Sequence, residues 1–191
     1  KENRDRVDQG FDMVKRNLVR IRRAVSNVLY YVKDREIDWE LVSFQDLFAL
    51  IKKELADYAQ HLQVKLILDP DADGTFETGA HPIQAILVNL LEFCLHACAL
   101  NEDKTSTSIS LTGAGYEHGV QFKVQVQGFA LEEDTKKRAT DDYYEPKGAD
   151  RSHLSLFITN RLIKRQNGTL EITSSPDERS SMFVITFPKR K

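Results

Sequence analysis

The segment GADRSHLSLFITNRLIKRQNGTL (148–170) combines a predicted helix start with side chains that could bind an anion. Its apolar spacing predicts an amphipathic helix over 153–166, followed by an Asn-Gly turn and a strand. Backbone amides at the start of such a helix can bind phosphate, and glycines beside them let the phosphate approach. Those glycines are absent here, and their places hold Arg151, His153 and Ser155. The segment therefore predicts either a phosphate site that has been lost or one in which the two cations bind phosphate in a new way.

Two cysteines form a second candidate pair. Cys94 and Cys98 lie four residues apart on a predicted helix, so their side chains share a face. Such a pair could bind a metal or take part in redox chemistry. Because the chain has no other cysteine and leucines surround both positions, we expect buried thiols in a reducing cytoplasm rather than a metal site.

The composition is that of an ordinary soluble protein. The chain has 191 residues, of which 41% are hydrophobic and 29% are charged, which suffices for one domain with a helical appendage. A net charge of −2 gives no electrostatic argument for nucleic-acid binding. Since no run of about 18 apolar residues and no signal peptide is visible, we expect no membrane insertion. The chain begins in helical sequence, and we interpret it as a fragment of a longer protein.

A heptad pattern dominates residues 3–34. Apolar residues recur at alternating steps of four and three, and they are Val7, Phe11, Val14, Leu18, Ile21, Val25, Val28 and Val32. This spacing predicts a long helix whose apolar seam needs a partner helix, from a missing N-terminal segment, from a second copy, or from both. The opposite face carries only basic charges, on Lys15, Arg16, Arg20, Arg22 and Arg23. That face is either solvated or a docking surface for an acidic partner.

The remaining sequence alternates between helical and strand patterns. Ser43 followed by Asp46 resembles a capping box at a helix start, whereas the polar stretch 128–152 lacks a period and predicts a long loop of the kind that forms lids. Together the patterns predict a two-layer α/β sandwich with mostly antiparallel strands. The predicted helices are 44–61, 82–100 (beginning at Pro82) and 153–166, and the predicted strands are 64–69, 75–78, 106–112, 120–127, 169–174 and 182–187.

In order and spacing, these elements resemble a bacterial sensor histidine kinase. IQAILVNLLEFCLHAC is similar to the N box of that family, VQVQGFALEE to the first glycine box, YYEP to the F box and SSMFVITFP to the closing strand. The segment 148–170 resembles the second glycine box. The resemblance implies an α+β fold. The implied chain has a coiled-coil-like dimerisation helix over 1–38, which is the second helix of a helical hairpin. An ATP-binding domain follows over 43–191, with a lid at 128–152. This domain type is shared with gyrase, the Hsp90 chaperones and MutL.

The nucleotide motifs depart from the family pattern. The N box has two asparagines that face the nucleotide and help hold Mg²⁺. Asn89 fills the first place, but Phe93, which has no oxygen for a metal, fills the second. The aspartate that accepts a hydrogen bond from adenine is replaced by Val126, or by Gln127 if the register differs by one. We expect Phe93 or Phe129 to fill the adenine space. By resemblance, the nucleotide-pocket positions are Asn89, Phe93, Val126, Gln127, Gly128 (the first glycine of its box), Ala130 (in place of the second), Arg151, His153 and Ser155.

The resemblance and its departures predict a degenerate, pseudokinase-like module of a two-component pathway. None of the five histidines is followed by an acid in the manner of a phospho-acceptor, so we predict no catalytic residue, no cofactor and no metal. The module would form a homodimer through a seam that includes Phe11, Val14, Leu18, Ile21, Val25 and Val28. It would dock a response-regulator receiver domain or another histidine kinase through Arg16, Arg20 and Arg23. We expect it in the cytoplasm, by itself or as part of a longer membrane-attached sensor.

Two other functions stay open on the sequence. The first is an active ATP-dependent kinase with divergent motifs, which would need ATP and Mg²⁺. Asn89, Gly128 and the F-box-like segment 144–146 favour it. The second is a nucleic-acid-binding dimer that uses the arginine-rich helix. The net charge of −2 and the lack of interleaved aromatic residues on that face argue against it.

Overall fold

The computed structural model describes residues 10, 11, 14, 38–70, 74–101, 106–140 and 151–189, and at 80 and 151–154 it describes the backbone only. The chain divides into two units, 1–36 and 37–191. In the first unit, Phe11 and Val14 are helical and exposed. The seam and the basic docking face stay predictions, because their other residues lie outside the described residues: Leu18, Ile21, Val25, Val28, Arg16, Arg20 and Arg23.

The second unit is built from helices and strands in alternation. Its helices are α1 (Phe44–His61), α2 (Ala80–Ala99), α3 (Glu133–Thr140) and α4 (Arg151–Arg165). Its strands are β1 (Trp39–Ser43), β2 (Lys65–Pro70), β3 (Thr75–Gly79), β4 (Ser108–Tyr116), β5 (Gly119–Gln127), β6 (Thr169–Ser175) and β7 (Ser180–Pro188). The helix predicted over 44–61 is confirmed together with its cap, since Asp46 N donates a hydrogen bond to Ser43 Oγ at 3.3 Å.

A five-stranded sheet carries this unit. Its strand order is β2-β4-β5-β7-β6, in which β2 and β4 run parallel and the other neighbours run antiparallel. β1 and β3 form a separate antiparallel pair. Along β4, β5 and β7 alternate side chains are buried, so one face of the sheet forms the core with the helices. The predicted fold class, a two-layer α+β sandwich with mostly antiparallel strands, is confirmed.

Aromatic side chains fill the core between α1 and the sheet. The Phe122 ring on β5 lies 5.9 Å from Phe44 and 5.6 Å from Phe76, measured between centroids. All three are buried, and each such ring contributes roughly 1.5–3 kcal/mol to stability. Gly113 on β4 leaves room for them, because a Cβ there would lie 2.9 Å from the Phe122 ring. Gly113 therefore serves the packing of a strand, although the strand predicted over 106–112 ends one residue before it.

Several boundaries differ from the predictions. Residues 113–116 extend β4, so the β4–β5 turn is confined to two residues. α2 begins at Ala80, which makes Pro82 its third residue rather than its first. Proline is tolerated there because amides in the first turn have no partner within the helix. α4 and β7 each begin two residues earlier than predicted. β1 has no counterpart among the predicted elements, since its five residues form too short an alternation to recognise.

The predicted loop over 128–152 contains a helix. α3 spans Glu133–Thr140, and Ala139 is its buried residue, so the sequence offers no apolar stripe from which to predict it. Ion pairs along the helix join Glu133 to Lys136 and Asp134 to Arg138. Such pairs and packing on α4 stabilise the helix in place of an apolar face. The prediction of an aperiodic loop is wrong for this part, and residues 141–150 lie outside the described residues.

α2 is the most buried helix of this part of the chain. Against the expectation from sequence, its stretch His81–Ala99 is long and apolar enough to cross a membrane. However, 67% of that stretch is buried inside the fold, as in the core helix of a globular domain. Cys94 and Cys98 lie on its fully buried side, as predicted.

Burial of the cysteines has a consequence for stability at high pH. Burial raises the pKa of the Cys94 thiol well above its usual range, and the neighbouring Cys98 raises it further. The folded state then holds the proton more tightly than the unfolded chain does. The stabilisation that the Cys94 thiol contributes is fully present below the pKa of an unfolded thiol, and it decreases as the pH rises above that value. We expect the free energy of unfolding in urea to decline above about pH 8.5. Cys94→Ala should be less stable at neutral pH but decline less steeply, whereas an equal slope would contradict this account.

Candidate functional site

Asn89 and Phe93 lie one turn apart on α2, and only 7% of each side chain is exposed. The Phe93 ring centroid lies 6.2 Å from that of Phe129 and 6.3 Å from that of Phe183, both edge-on. Such pairs contribute about 0.5–1.5 kcal/mol beyond the burial of their area. We call Phe93, Phe129 and Phe183 the aromatic cluster. It lies where the resemblance places a metal-ligating asparagine, and it contains both rings that the sequence predicted for the adenine space.

At the end of β5, the two residues that the sequence left open for the aspartate position face opposite sides of the sheet. Val126 is fully buried on the helix-facing side of the sheet, where it pairs with Ser181 of β7. Gln127 is exposed, and its Nε2 donates a hydrogen bond to Glu178 O at 2.8 Å. Because successive strand residues point to opposite faces, only one of the two can face the helices. That residue is Val126, and it offers no acceptor for a base.

Gly128 follows β5 in a backbone conformation that other residues rarely adopt. Its φ is 92°, and a Cβ there would lie 2.7 Å from Thr107 Cγ2. Its N–H donates to Arg179 O at 2.8 Å, and its carbonyl accepts from Asn101 Nδ2 at 3.0 Å. Arg179 Nη2 donates in turn to Asn101 Oδ1 at 2.7 Å. The fold itself therefore requires a glycine here, independently of any nucleotide.

Ser181 holds the segment that follows Gly128. Its hydroxyl accepts a hydrogen bond from Leu131 N at 2.9 Å and donates one to Phe129 O at 3.0 Å. The side chain is 2% exposed. Ser181 is not among the residues predicted from sequence, although a serine at an inward position of the alternating run SSMFVITFP is a usable signal. Asn101 and Arg179, which contact each other across 78 residues of chain, are not among them either.

α3 is attached to α4 by a buried asparagine. Asn160 Nδ2 donates a hydrogen bond to Ala139 O at 2.9 Å, and Asn160 is 2% exposed. This bond satisfies a carbonyl in the last turn of α3, which has no partner within the helix. Residues 128–140 are therefore anchored at one end by the sheet and at the other by α4.

The second glycine box coincides with the first turns of α4. The helix begins at Arg151, so Arg151 and His153 lie in its first turn, but their side chains lie outside the described residues. Ser155 is half-buried, and its carbonyl accepts a hydrogen bond from Thr159 Oγ1 at 2.8 Å. Ala130 is also half-buried. The predicted positions thus lie on α2, at the end of β5 and at the start of α4, as parts of one domain.

Two further features of the described residues lie apart from these positions. A groove of about 260 Å³ lies between α1 and β2, and none of the nucleotide-pocket positions lines it. Its walls are Lys52, Ala56, Ala59, Gln60, Val64, Leu66 and Leu68. Within the part of the chain that the structure describes, no group of three or more His, Cys, Asp or Glu residues could hold a metal ion. Neither feature adds a ligand to the candidate site.

The family model for histidine kinase-, DNA gyrase B- and HSP90-like ATPases matches residues 79–191, which is more than half of the chain. The chain belongs to this family. The match begins at Gly79, the N-cap of α2, and includes every nucleotide-pocket position from Asn89 to Ser155. The superfamily that the sequence resemblance named is confirmed. No curated protein matches the sequence.

Solved structures of histidine kinases share the fold. The nucleotide-free catalytic domain of histidine kinase ThkA has a TM-score of 0.66 at 17% identity, over 80% of this chain and 97% of that domain. Histidine kinase AdeS of Acinetobacter baumannii has a TM-score of 0.66 at 14% identity, over 94% of this chain and 80% of that one. ThkA in complex with the response regulator protein TrrA has a TM-score of 0.69 at 18% identity, over 93% of this chain and 50% of that one. At these identities the likeness shows the fold alone.

Proposed function

We propose that this chain is a module of two-component signalling whose ATP-binding domain no longer binds ATP with Mg²⁺. The observation that carries the proposal is the burial of Phe93 in the aromatic cluster. Mg²⁺ is held by oxygen ligands, and a phenyl ring offers none. Membership of the ATPase family and a fold shared with histidine kinases support the signalling class.

The affinity that such a site would lose can be estimated from its parts. Val126 stands where an aspartate would accept a hydrogen bond from adenine, and removal of one such charged partner costs about 1–3 kcal/mol, or roughly 10–100-fold in affinity. Loss of the metal also removes the counter-charge on the triphosphate. If these effects add, a micromolar site becomes millimolar or weaker. Side chains at Arg151, His153 and Ser155 restrict the approach of phosphate further.

In this proposal the module acts through its partners rather than by phosphoryl transfer. It dimerises through the heptad seam and docks an acidic receiver domain or a partner kinase on Arg16, Arg20 and Arg23, since complementary charge guides association. Support comes from the sequence pattern of that helix and from a structural neighbour that is a histidine kinase in complex with a response regulator. A cytoplasmic location follows from the same proposal.

A titration with ATP tests the nucleotide part. We expect no saturable heat from ATP up to millimolar concentration, and no change on adding Mg²⁺, because the oxygen ligand and the base acceptor are both missing. The measurement is isothermal calorimetry of the intact chain with ATP, with and without Mg²⁺. A micromolar dissociation constant that Mg²⁺ strengthens would overturn the proposal and favour the active kinase.

A matched variant tests whether ATP binding can be restored. The substitutions Phe93→Asn, Val126→Asp and Ala130→Gly restore the family residues at three positions while leaving the rest of the chain unchanged. The variant should bind ATP at least about tenfold more tightly than the parent, since each restored polar partner is worth about 1–3 kcal/mol. Circular dichroism must first show that the variant is folded, because Phe93→Asn and Val126→Asp place polar groups at buried positions. Equal affinities of the folded variant and the parent would then show that these positions do not determine binding.

A further inference from the structure

We propose that the outer edge of β2 is a self-association surface, at which the β2 strands of two copies of this chain pair antiparallel about Ile67. The contact would join the two five-stranded sheets into one continuous sheet. The proposal rests on the position, burial and charges of β2, and it does not depend on whether the domain binds ATP.

β2 is an end strand of the five-stranded sheet, and its outer edge pairs with no other strand among the described residues. Pro70, the last residue of the strand, fits this position, because proline has no amide proton and is confined in sheets to edges, strand ends and bulges. Such an edge presents backbone donors and acceptors that another strand can bind.

The row of core side chains that crosses the sheet is incomplete at this edge. Leu66 lies beside Ile109 of β4, and Leu68 lies beside Leu111. The two β4 residues are fully buried, whereas the two leucines of β2 are only half-buried. The groove of about 260 Å³ between α1 and β2 lies next to these leucines. A further strand with apolar residues at alternate positions would place them against this groove and bury the leucines more completely.

The other face of β2 carries a cation, an apolar residue and an anion at alternate positions. Lys65 and Asp69 are exposed, and Ile67 between them is 39% exposed. Neither charged residue forms an ion pair with another described residue. Charges on an edge strand commonly prevent association. Here, however, the opposite charges at the two ends of one strand are complementary to those of an antiparallel copy.

Pairing about Ile67 suits both faces of the strand at once. It places Lys65 opposite Asp69 of the second copy, twice by symmetry, and Ile67 opposite its own counterpart. On the helix-facing side it places Leu66 opposite Leu68 of the second copy, so the row of apolar side chains continues. A two-fold contact must be self-complementary in this way. A neighbouring register would place Lys65 or Asp69 opposite Ile67 and leave the charges without partners.

The size of the contact sets its expected strength. Residues 65–69 of two copies bury far less area than the roughly 1,600 Å² of a standard stable interface. Association through β2 should therefore be weak and reversible, and it should increase with protein concentration.

Disulfide trapping of the intact chain tests the pairing. Ile67→Cys would face its own counterpart, where Cα atoms of antiparallel strands lie about 4.5–5.5 Å apart, a distance that a disulfide spans. Cys94 and Cys98 are buried and should not react. With oxidised glutathione, we expect a disulfide-linked dimer on a non-reducing gel. Glu171→Cys is the matched control, because it is an exposed position on β6, the other end strand, and it should run as the monomer. Equal trapping at the two positions would overturn the proposal.

A charge exchange tests the register. In the Ile67→Cys background, Lys65→Asp or Asp69→Lys alone makes each facing pair like-charged, so trapping should fall at least about fivefold. The two substitutions together restore opposite charges without changing the net charge, and trapping should return to the level of Ile67→Cys. Both positions are exposed, so the variants should fold. Equal trapping in the single and double variants would show that the proposed register is wrong.

Amide hydrogen exchange of the parent chain, resolved by residue with NMR, tests the contact without any substitution. The β2 amides that do not bond to β4 point to the outer edge, and they should exchange more slowly as the protein concentration is raised from micromolar to millimolar. The outer-edge amides of β6 should exchange at the same rate throughout. Fast exchange of the β2 amides at every concentration would overturn the proposal. Slow exchange that does not depend on concentration would also overturn it, because the chain itself would then cover this edge.

Discussion

Replacement of Phe93 by alanine should lower the free energy of unfolding by about 3–5 kcal/mol. The ring is 7% exposed and meets Phe129 and Phe183, so truncation leaves a cavity among aromatic groups that cannot all move to fill it. Phe93→Asn should cost a similar amount, because it places an amide in the cluster without a partner. Urea unfolding followed by circular dichroism measures both variants by linear extrapolation.

Phe157→Ala is the control for this prediction. Phe157 is half-buried on α4, and the Arg161 guanidinium lies 5.1 Å from its ring centroid. We expect Phe157→Ala to lower the free energy of unfolding by about 1 kcal/mol, since less area is buried at this ring and only one solvent-exposed cation–π contact is removed. If Phe93→Ala costs no more than Phe157→Ala, Phe93 lies against an open pocket, and the proposed function loses the observation that carries it.

In the proposed homodimer, replacement of Ile21 or Val25 by aspartate should shift the chain toward monomer. Burial of the eight seam residues is worth on the order of 12–24 kcal/mol before conformational entropy is subtracted. A carboxylate at the centre of the seam would have to lose its hydration without a partner, which costs several kcal/mol. These residues lie outside the described part of the chain, so the prediction comes from the heptad spacing alone. Analytical ultracentrifugation over a range of concentrations measures the association.

The basic face of the same helix supplies the control. Arg20→Glu together with Arg23→Glu changes the charge without touching the seam, so the dimer should persist while binding of an acidic receiver domain weakens. The receiver is titrated at low and high salt, because a contact of this kind is screened by ions. If the aspartate variant sediments like the parent, the seam does not hold the dimer, and the interpretation of the heptads is wrong.

Local patterns in the sequence determine most of the secondary structure of the second unit. α1 and its cap are predicted correctly because the period of 3.6 residues and the Ser43–Asp46 hydrogen bond are both local. The alternating run of β5 likewise predicts a strand with one buried face, and the structure confirms it. α3 escapes prediction because ion pairs and a contact with α4 hold it, and neither produces an apolar period.

The candidate site shows the same division. The residue types at 89, 93 and 128 are read directly from the sequence, and their chemistry, an amide, a ring and a glycine, follows from type alone. Which of Val126 and Gln127 faces the helices does not follow from type, because a shift of one residue turns every side chain of a strand to the other face. Only pairing of β5 with β4 and β7 fixes that register, and it turns Val126 inward.

The contacts that hold the segment after β5 in place were decided by tertiary structure alone. Ser181 reaches Leu131 across 50 residues of chain, and Arg179 reaches Asn101 across 78. No local pattern encodes such partners, since any serine or arginine in a turn or strand could form them with whatever backbone lies nearby. The sequence by itself determined most of the helices and strands and the residue types at the positions that the resemblance names. Packing of β7 beside the end of β5 determined the contacts of residues 129–131, because it brings the buried hydroxyl of Ser181 within hydrogen-bond distance of backbone groups that must be satisfied.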